Sequence, residues 1–507
     1  MVLPEVRMSV VSSATSFFMN PALAHGQTAP PAAELTRRAR KMTKVVATLG
    51  PASENPETIR NLMHAGMNVV RLNMSHGDHA DHLKRLTLVR TLSKELQRPV
   101  SILADLQGPK IRTGRLIGGT PVEWKVGAKT VITVAECPDG TAERVGTTYS
   151  GLAKDVIPGN TLLVDDGRMR LQVDSIHGDD ICCTVLVGGL LKNNKGINLP
   201  GVNVSAPSLS DKDKADLAWA IANDVDYIAL SFVRNARDVR NVKNRIQETG
   251  RTIPIIAKIE KPEAVENIDE ILNEVDGIMV ARGDLGIEIS TQRLPVVQKE
   301  LIRRANRAGK LVITATQMLE SMIENPIPTR AESSDVANAI FDGTDAIMLS
   351  GETASGKYPV EAVAEMMRIA IEAEKSDYMP QMEIGMSNAF NNYALAISSA
   401  AHLLCTELKA NGVMVFSHNT EKALLLSKQR GDVPVVALCY DEQTWRRLSL
   451  FWGIVPLMMP FKEDLNDQLE AGTDECLRNG IFADGDTVVV LCGVSKQGAN
   501  TLKIHQI

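Results

Sequence analysis

The sequence has no stretch of roughly 18 uninterrupted apolar residues, so no membrane-spanning helix is expected. It also lacks any C-x-x-C pair. Its seven cysteines (Cys137, Cys182, Cys183, Cys405, Cys439, Cys476 and Cys492) are odd in number and scattered, mostly in apolar, strand-like runs such as "VVALC" and "VVVLC". They read as reduced core residues of a cytosolic protein and exclude a disulfide frame or a zinc site. Positive charge is not in excess either: 55 Lys and Arg face 61 Asp and Glu, a formal net charge of -6. Nucleic acid as the main partner needs a clustered basic surface, and the only dense basic run, "RRARK" at 37–41, reads as a solvated lead-in to the first domain.

What is present is the composition of a water-soluble globular chain, 44% hydrophobic and 23% charged. At 507 residues it is too long for one ordinary core, so two to four domains are expected. The first 35 residues stand apart, dominated by Ser, Ala and Pro. "ALA" at 22–24 resembles a signal-peptidase site behind Arg7, yet the preceding "MSVVSSATSFFM" is too rich in Ser and Thr for an apolar core. Residues 1–35 therefore read as a disordered extension, or as the result of a start codon set too early, ahead of a targeting segment.

From Thr43 onward, short β-branched runs alternate with amphipathic stretches. The runs are "TKVVATLG", "NVVRLNMS", "VSILADL", "YIALSFV", "IPIIAKIE", "GIMVARGDL", "LVITATQ" and "AIMLSGE". Near-continuous apolar strands separated by helices imply a parallel sheet covered on its faces, and eight such units predict a closed (β/α)8 barrel over 36–112 and 206–375. The interval of about 120 residues between the third and fourth runs breaks the rhythm. Glycine-punctuated strand signals over 113–205 predict an inserted all-β lid domain on a βα loop, a small β-barrel. A separate α/β pattern over 376–507 predicts a third domain with an open, doubly wound sheet.

Polar residues fall at the C-terminal ends of the barrel runs: Arg71, Asn73 and Ser75; Asp105; Ser231; Lys258 and Glu260; Arg282 and Asp284; Thr316; Ser350 and Glu352. In a barrel these ends converge on one face, where loops build a site. Charges inside apolar strands cost several kcal/mol unless paired or bound, so their recurrence points to function. Glu260 and Asp284 are hard oxygen ligands suited to Mg2+, or to Mn2+ in its place. Lys258 shares a strand face with Glu260, and a cation beside such a site suits a phosphoryl group in transfer. Arg71 adds a guanidinium fork for phosphate or carboxylate. "GETASGKY" at 351–358 approaches a P-loop, but Tyr358 and Pro359 stand where its Ser or Thr is needed, so that reading is rejected.

With these motifs in place, the chain resembles the pyruvate kinases from about residue 40 to its end. The resemblance is carried by "TKVVATLGPAS", "MNVVRLNMSHG", "GPKIRTG", "NNKGINLPG", "AKIEKPEAV", "IMVARGDLGIEI", "TATQMLESMI", "PTRAESSDVANA" and "LSGETASGKYPVEAV". It implies transfer of phosphate from phosphoenolpyruvate to ADP. By that similarity Glu260 and Asp284 hold Mg2+, the Gly283 backbone and Thr316 orient the substrate carboxylate, and Lys258 and Arg71 hold the phosphoryl group. Arg112 and Lys195 reach the nucleotide, with Asn73, Met74, Ser75 and His76 beneath it. Thr316, Ser350 and Glu352 are all candidates to relay a proton to the enolate through water. The inserted domain acts as a lid that excludes water.

Two departures matter. Many members bind K+ through residues matching Asn73, Ser75, Asp105 and the Leu106 carbonyl, with glutamate where this chain has Lys110. The chain is similar to the K+-independent bacterial subgroup with Leu106, Gln107 and Lys110, which implies that the Lys110 ammonium replaces the bound ion. In the last domain "SHNTEKALL" (417–425) puts Thr420 and Glu421 where a phosphate-binding loop carries Gly and Arg. Activation by a fructose bisphosphate is therefore not expected, while another phosphorylated effector at that domain, or none, stays open. The resemblance further implies a homotetramer. Two other functions share parts of this pattern: a barrel lyase or aldolase acting on pyruvate or phosphoenolpyruvate, which needs neither lid nor Lys195, and a catalytically silent metabolite sensor, which need not keep Lys258.

Overall fold

The computed structural model describes residues 41–205, 207–379, 392–492 and 501–507. The reading of residues 1–35, and most of the closing "GVSKQGANTLKI" loop, lie outside the described residues. The eight apolar runs form β1 (Lys44–Thr48), β2 (Val69–Asn73), β3 (Ser101–Asp105), β12 (Tyr227–Leu230), β13 (Ile255–Ile259), β14 (Gly277–Ala281), β15 (Leu311–Ala315) and β16 (Ala346–Leu349). They pair in parallel and close in the order β1-β16-β15-β14-β13-β12-β3-β2.

The strands are mostly apolar because both faces are buried, with charged groups such as Arg71, Asp105 and Lys258 set toward their C-terminal ends. Val45, Val70, Ile102, Ile228, Ile278 and Ile347 pack outward against the helices. Their neighbours Val46, Val69, Leu103, Tyr227, Met279 and Met348 fill the interior. A two-residue side-chain period with no polar phase leaves only the strand ends free for polar groups.

Between β3 and β12 lie β4 (Val122–Trp124), β5 (Lys129–Thr133), β6 (Arg144–Gly146), β7 (Thr161–Val164), β8 (Met169–His177), β9 (Asp180–Val187), β10 (Gly189–Leu191) and β11 (Ile197–Asn198). They make a two-stranded sheet, β10-β4, and a six-stranded sheet, β11-β7-β8-β9-β5-β6, over a core of their own that includes Trp124, Leu162 and Leu171. The final sheet joins β17 (Gly412–Ser417), β18 (Val435–Cys439), β19 (Ile454–Met458), β20 (Thr487–Cys492) and β21 (Thr501–Gln506) in the order β19-β18-β17-β20-β21, with β21 antiparallel at the edge. All seven cysteines are free thiols.

This last unit docks on the N-terminal ends of the barrel strands. Lys428 Nζ reaches Asp345 at 2.5 Å, both side chains being wholly buried. Arg446 Nε pairs with Asp226 at 2.9 Å, the Ser101 hydroxyl donates to the Arg446 carbonyl at 2.5 Å, and Lys44 Nζ donates to the Ile454 carbonyl at 2.8 Å. Trp445, Leu448 and Phe451 continue the apolar interior of the barrel. One end of the barrel is thus closed by packing, and chemistry is left to the other.

Candidate active site at the C-terminal mouth of the barrel

Arg71, Asp105, Ser231, Lys258 and Glu260 come from four adjacent strands and converge. Arg71 Nε donates to Asp105 Oδ2 at 2.6 Å, and its Nη1 donates to the Thr48 hydroxyl at 3.1 Å. Lys258 Nζ lies 3.3 Å from Asp105 Oδ1, 2.9 Å from Glu260 Oε1 and 2.7 Å from the Ser231 hydroxyl. Asp105 and Glu260 are each only 1% exposed, so these charges rest on one another rather than on water. Burial works against both the Lys258 ammonium and the Asp105 carboxylate. Asp105 and Glu260 nevertheless raise the pKa of Lys258, while Lys258 and Arg71 hold Asp105 below the usual carboxylate range. Lys258 is a fixed cation.

Glu260 behaves differently. Burial pushes its pKa up, and Asp284 pushes it further, against Lys258 and the Phe232 N–H that donates to Oε2 at 2.7 Å. Two carboxylates close enough to disturb one another, with hard oxygens at a partly open mouth, fit a divalent ion that would relieve their repulsion. Among the described residues no group of three or more His, Cys, Asp or Glu side chains gathers for a metal. An ion held by this pair therefore takes its remaining oxygens from substrate and water. Lys110 Nζ stands 3.6 Å from Asp284 Oδ1. That places the Lys110 charge beside the expected Mg2+ carboxylate, whereas Asp105, of the expected K+ pocket, is answered by Arg71 and Lys258.

Thr316 follows β15 with φ of +71°, a left-handed conformation that is strained for a β-branched residue. Its surroundings impose it. Arg282 Nη2 donates to the Thr316 carbonyl at 2.6 Å, Arg282 Nη1 is anchored on Asp335 at 2.8 Å, and the Gly283 N–H donates to Thr316 Oγ1 at 2.8 Å. Arg282, a strand-end charge in the sequence, is thus turned into a brace. Glu352 is buried and accepts from the N–H groups of Ser350 at 2.7 Å and Leu319 at 3.1 Å, tying the loops after β15 and β16 together. Burial raises its pKa.

The turn after β2 carries Asn73, Met74, Ser75 and His76. Asn73 Oδ1 accepts from the Ser75 N–H at 3.2 Å, its amide meets His76 Nδ1 at 3.2 Å, and the Met74 N–H donates to the Asp105 carbonyl at 3.0 Å. Burial lowers the His76 pKa, with Arg112, Arg71 and Lys110 adding to the effect, so all three cations bear on this turn. Arg112 bridges to Gly196 at the root of the inserted sheets, its Nη1 donating to the Asn194 carbonyl at 3.2 Å. Lys195 Nζ, next to Gly196 in that bridge, pairs with Asp165 at 2.7 Å. Sequence reasoning missed Asp165, Thr48 and Lys212. Asp165 carried one usable signal, a "DDG" turn at a strand end, and both Asp165 and Asp166 adopt positive φ.

Elsewhere, "GETASGKY" folds into the short helix Gly351–Ala354 and a link that ends at Tyr358, the residue capping helix Pro359–Glu374, rather than an open phosphate cradle. In the last sheet His418 lies 4.6 Å from the Tyr440 ring and 5.4 Å from the Phe461 ring, centroid to centroid, where the sequence departs from a phosphate-binding loop.

Residues 40–363 match the family model "Pyruvate kinase, barrel domain", and residues 395–505 match "Pyruvate kinase, alpha/beta domain". The chain belongs to the pyruvate kinase family. A pyruvate kinase of Geobacillus stearothermophilus is 43% identical over 475 residues, covering 92% of this chain and 81% of that one. One from Mycobacterium intracellulare is 44% identical over 474 residues, covering 92% and 98%. A solved pyruvate kinase structure from Cryptosporidium parvum superposes with a TM-score of 0.85 at 36% identity, covering 93% of this chain and 97% of that one. The barrel with its inserted sheets and terminal α/β unit is therefore the pyruvate kinase architecture of a phosphotransferase. Among the described residues no helix is long and apolar enough to cross a membrane.

Proposed function

We propose that the mouth of the barrel transfers the phosphoryl group of phosphoenolpyruvate to ADP, giving pyruvate and ATP. The observation that carries this reading is the Lys258 ammonium, held as a cation between Asp105 and Glu260 beside the Glu260/Asp284 carboxylate pair. A divalent ion on those two carboxylates, Mg2+ or Mn2+, supplies Lewis-acid polarisation of substrate oxygens. Lys258 then faces the three oxygens of the phosphoryl group as it passes, and Arg71, steadied by Asp105 and Thr48, holds that group's orientation. Thr316, Gly283 and Asp284 form the wall for the substrate carboxylate. Thr316 Oγ1 and the Gly283 N–H, which bond each other in this structure, become available when a carboxylate replaces that mutual bond.

Asn73, Met74, Ser75 and His76 form the floor under ADP, and Arg112 and Lys195, beside and on the inserted domain, reach its phosphates. That domain, 113–205, closes as a lid so that ADP rather than water receives the phosphoryl group. Protonation of the enolate runs through water near Thr316 and Ser350, with Glu352 fixing both loops. Lys110 supplies the monovalent positive charge for which relatives use K+. The enzyme works in the cytoplasm and as a homotetramer, the assembly being supported by Leu403 and Leu408 on helix Asn392–Leu408, exposed among the described residues, and by the edge position of β21. An effector at the last domain, if any, is not a fructose bisphosphate, because Glu421 stands at the loop.

The test is ATP formation from phosphoenolpyruvate and ADP with Mg2+. Lys258→Met is expected to remove turnover while phosphoenolpyruvate still binds with Mg2+. Full turnover in that variant would refute the role given to Lys258.

A further inference from the structure

The helix Asp211–Ala222 begins where the chain returns from the inserted sheets, and two adjacent side chains of its first turn reach different loops of the mouth. Lys212 Nζ donates to the Met74 carbonyl at 2.6 Å and is steadied by Asp216 Oδ2 at 2.6 Å. Asp216, only 2% exposed, also binds His79 at 2.8 Å, which stacks on Trp219. Asp213 is wholly buried. Its Oδ1 accepts from the Gly108 N–H at 2.9 Å, and its Oδ2 closes the helix cap with the Ser210 N–H at 2.9 Å.

Gly108 is packed where no side chain fits. It adopts φ of +71°, and a Cβ there would come within 2.7 Å of the Phe232 ring and 2.9 Å of Ser231 Cβ. Two residues later the chain carries Lys110, and four residues later Arg112. Met74 is flanked by Asn73, Ser75 and His76. One rigid helical turn therefore sets the height of the turn beneath the nucleotide and the pivot of the outgoing connection to the lid.

We propose that Lys212 and Asp213 are positioning residues that fix the nucleotide turn and the lid pivot to one another, so that ADP binding and lid closure share a common reference. Neither residue touches the reacting atoms. The proposal rests on the phosphotransferase reading above.

Steady-state kinetics of Lys212→Met, Lys212→Arg and Asp213→Ala test it. Lys212→Met is expected to raise the KM for ADP by about tenfold with the KM for phosphoenolpyruvate changed less than about twofold, since the charge-assisted hydrogen bond to the nucleotide turn is lost together with the Asp216 pair, which leaves Asp216 on His79. Lys212→Arg can still donate to the Met74 carbonyl and is expected to recover most of the loss. Asp213→Ala loosens the pivot, so water competes for the phosphoryl group and pyruvate is formed in excess over ATP, the remainder appearing as inorganic phosphate. The proposal is overturned by an unchanged KM for ADP in Lys212→Met, by equal rises in both KM values, by failure of arginine to rescue, or by strictly equal pyruvate and ATP in Asp213→Ala. Calorimetric titration of each variant with Mg-ADP reads the same coupling without turnover. If the parent enzyme makes no ATP, the phosphotransferase reading fails, and unweakened Mg-ADP binding in Lys212→Met separately overturns this one.

Discussion

Replacing Lys110 by glutamate exposes what its charge does. Its ammonium stands 3.6 Å from Asp284 Oδ1, and both side chains are about a quarter exposed, at 27% and 24%. Coulomb's law at an effective dielectric of about 20 gives roughly 5 kcal/mol for unit charges at that spacing, and solvent access to both ends reduces it to about 2 kcal/mol. Lys110→Glu removes that attraction and places a third carboxylate beside Asp284 and Glu260. The kcat/KM for phosphoenolpyruvate, measured with tetramethylammonium as the only monovalent cation, is therefore expected to fall by roughly 30-fold. Added K+ should restore much of it by supplying the missing positive charge, whereas the parent enzyme should respond little to K+. A parent enzyme inactive without K+, or a variant indifferent to it, would refute the reasoning.

Three further substitutions test the frame around the site. Lys428→Met leaves Asp345 buried beside Arg430 without its closest partner and is expected to lower unfolding stability by about 4 kcal/mol; an unchanged denaturant midpoint would show that the terminal unit is not anchored there. Gly108→Ala meets both the positive φ and the Phe232 ring, so a loss of about 2 kcal/mol or more is expected in the same assay, and wild-type stability would mean the loop has slack. Thr316→Gly should relieve backbone strain and stabilise the fold by about 1 kcal/mol while lowering kcat roughly a hundredfold through loss of the hydroxyl; unchanged turnover would remove Thr316 from the substrate wall.

The barrel was legible because a strand buried on both faces cannot hide its composition. "GIMVARGDL" stays apolar until the residue that reaches the mouth, and "VSILADL" departs from that only at Ser101 at its far end, so strand positions and candidate site residues emerge from one pattern. Lys258 and Glu260 could be placed together because two residues along a strand share a face. What stayed hidden depends on conformation or on distant partners. Nothing in "TATQ" announces that Thr316 is forced to positive φ by Arg282, and an arginine at a strand end looks the same whether it faces substrate or braces a loop. Lys212 sits in "SDKDKADL", a run that reads as a capped, solvated helix start, and its reach to Met74 depends on the pairing of β12 with β3 and of β3 with β2. Lys110 was expected among the residues around Asp105 but lies beside Asp284, because Arg71 and Lys258 already answer the Asp105 charge.

The convergence of acidic oxygens from the end of β13 and from the helix Arg282–Glu288 that follows β14 on a single divalent ion is tested most directly by Mn2+ titration followed by electron paramagnetic resonance. The parent enzyme with phosphoenolpyruvate should bind one Mn2+ per chain at the mouth, and Glu260→Gln and Asp284→Asn should each weaken that binding by tenfold or more. Mn2+ binding unchanged in both variants would contradict the shared site.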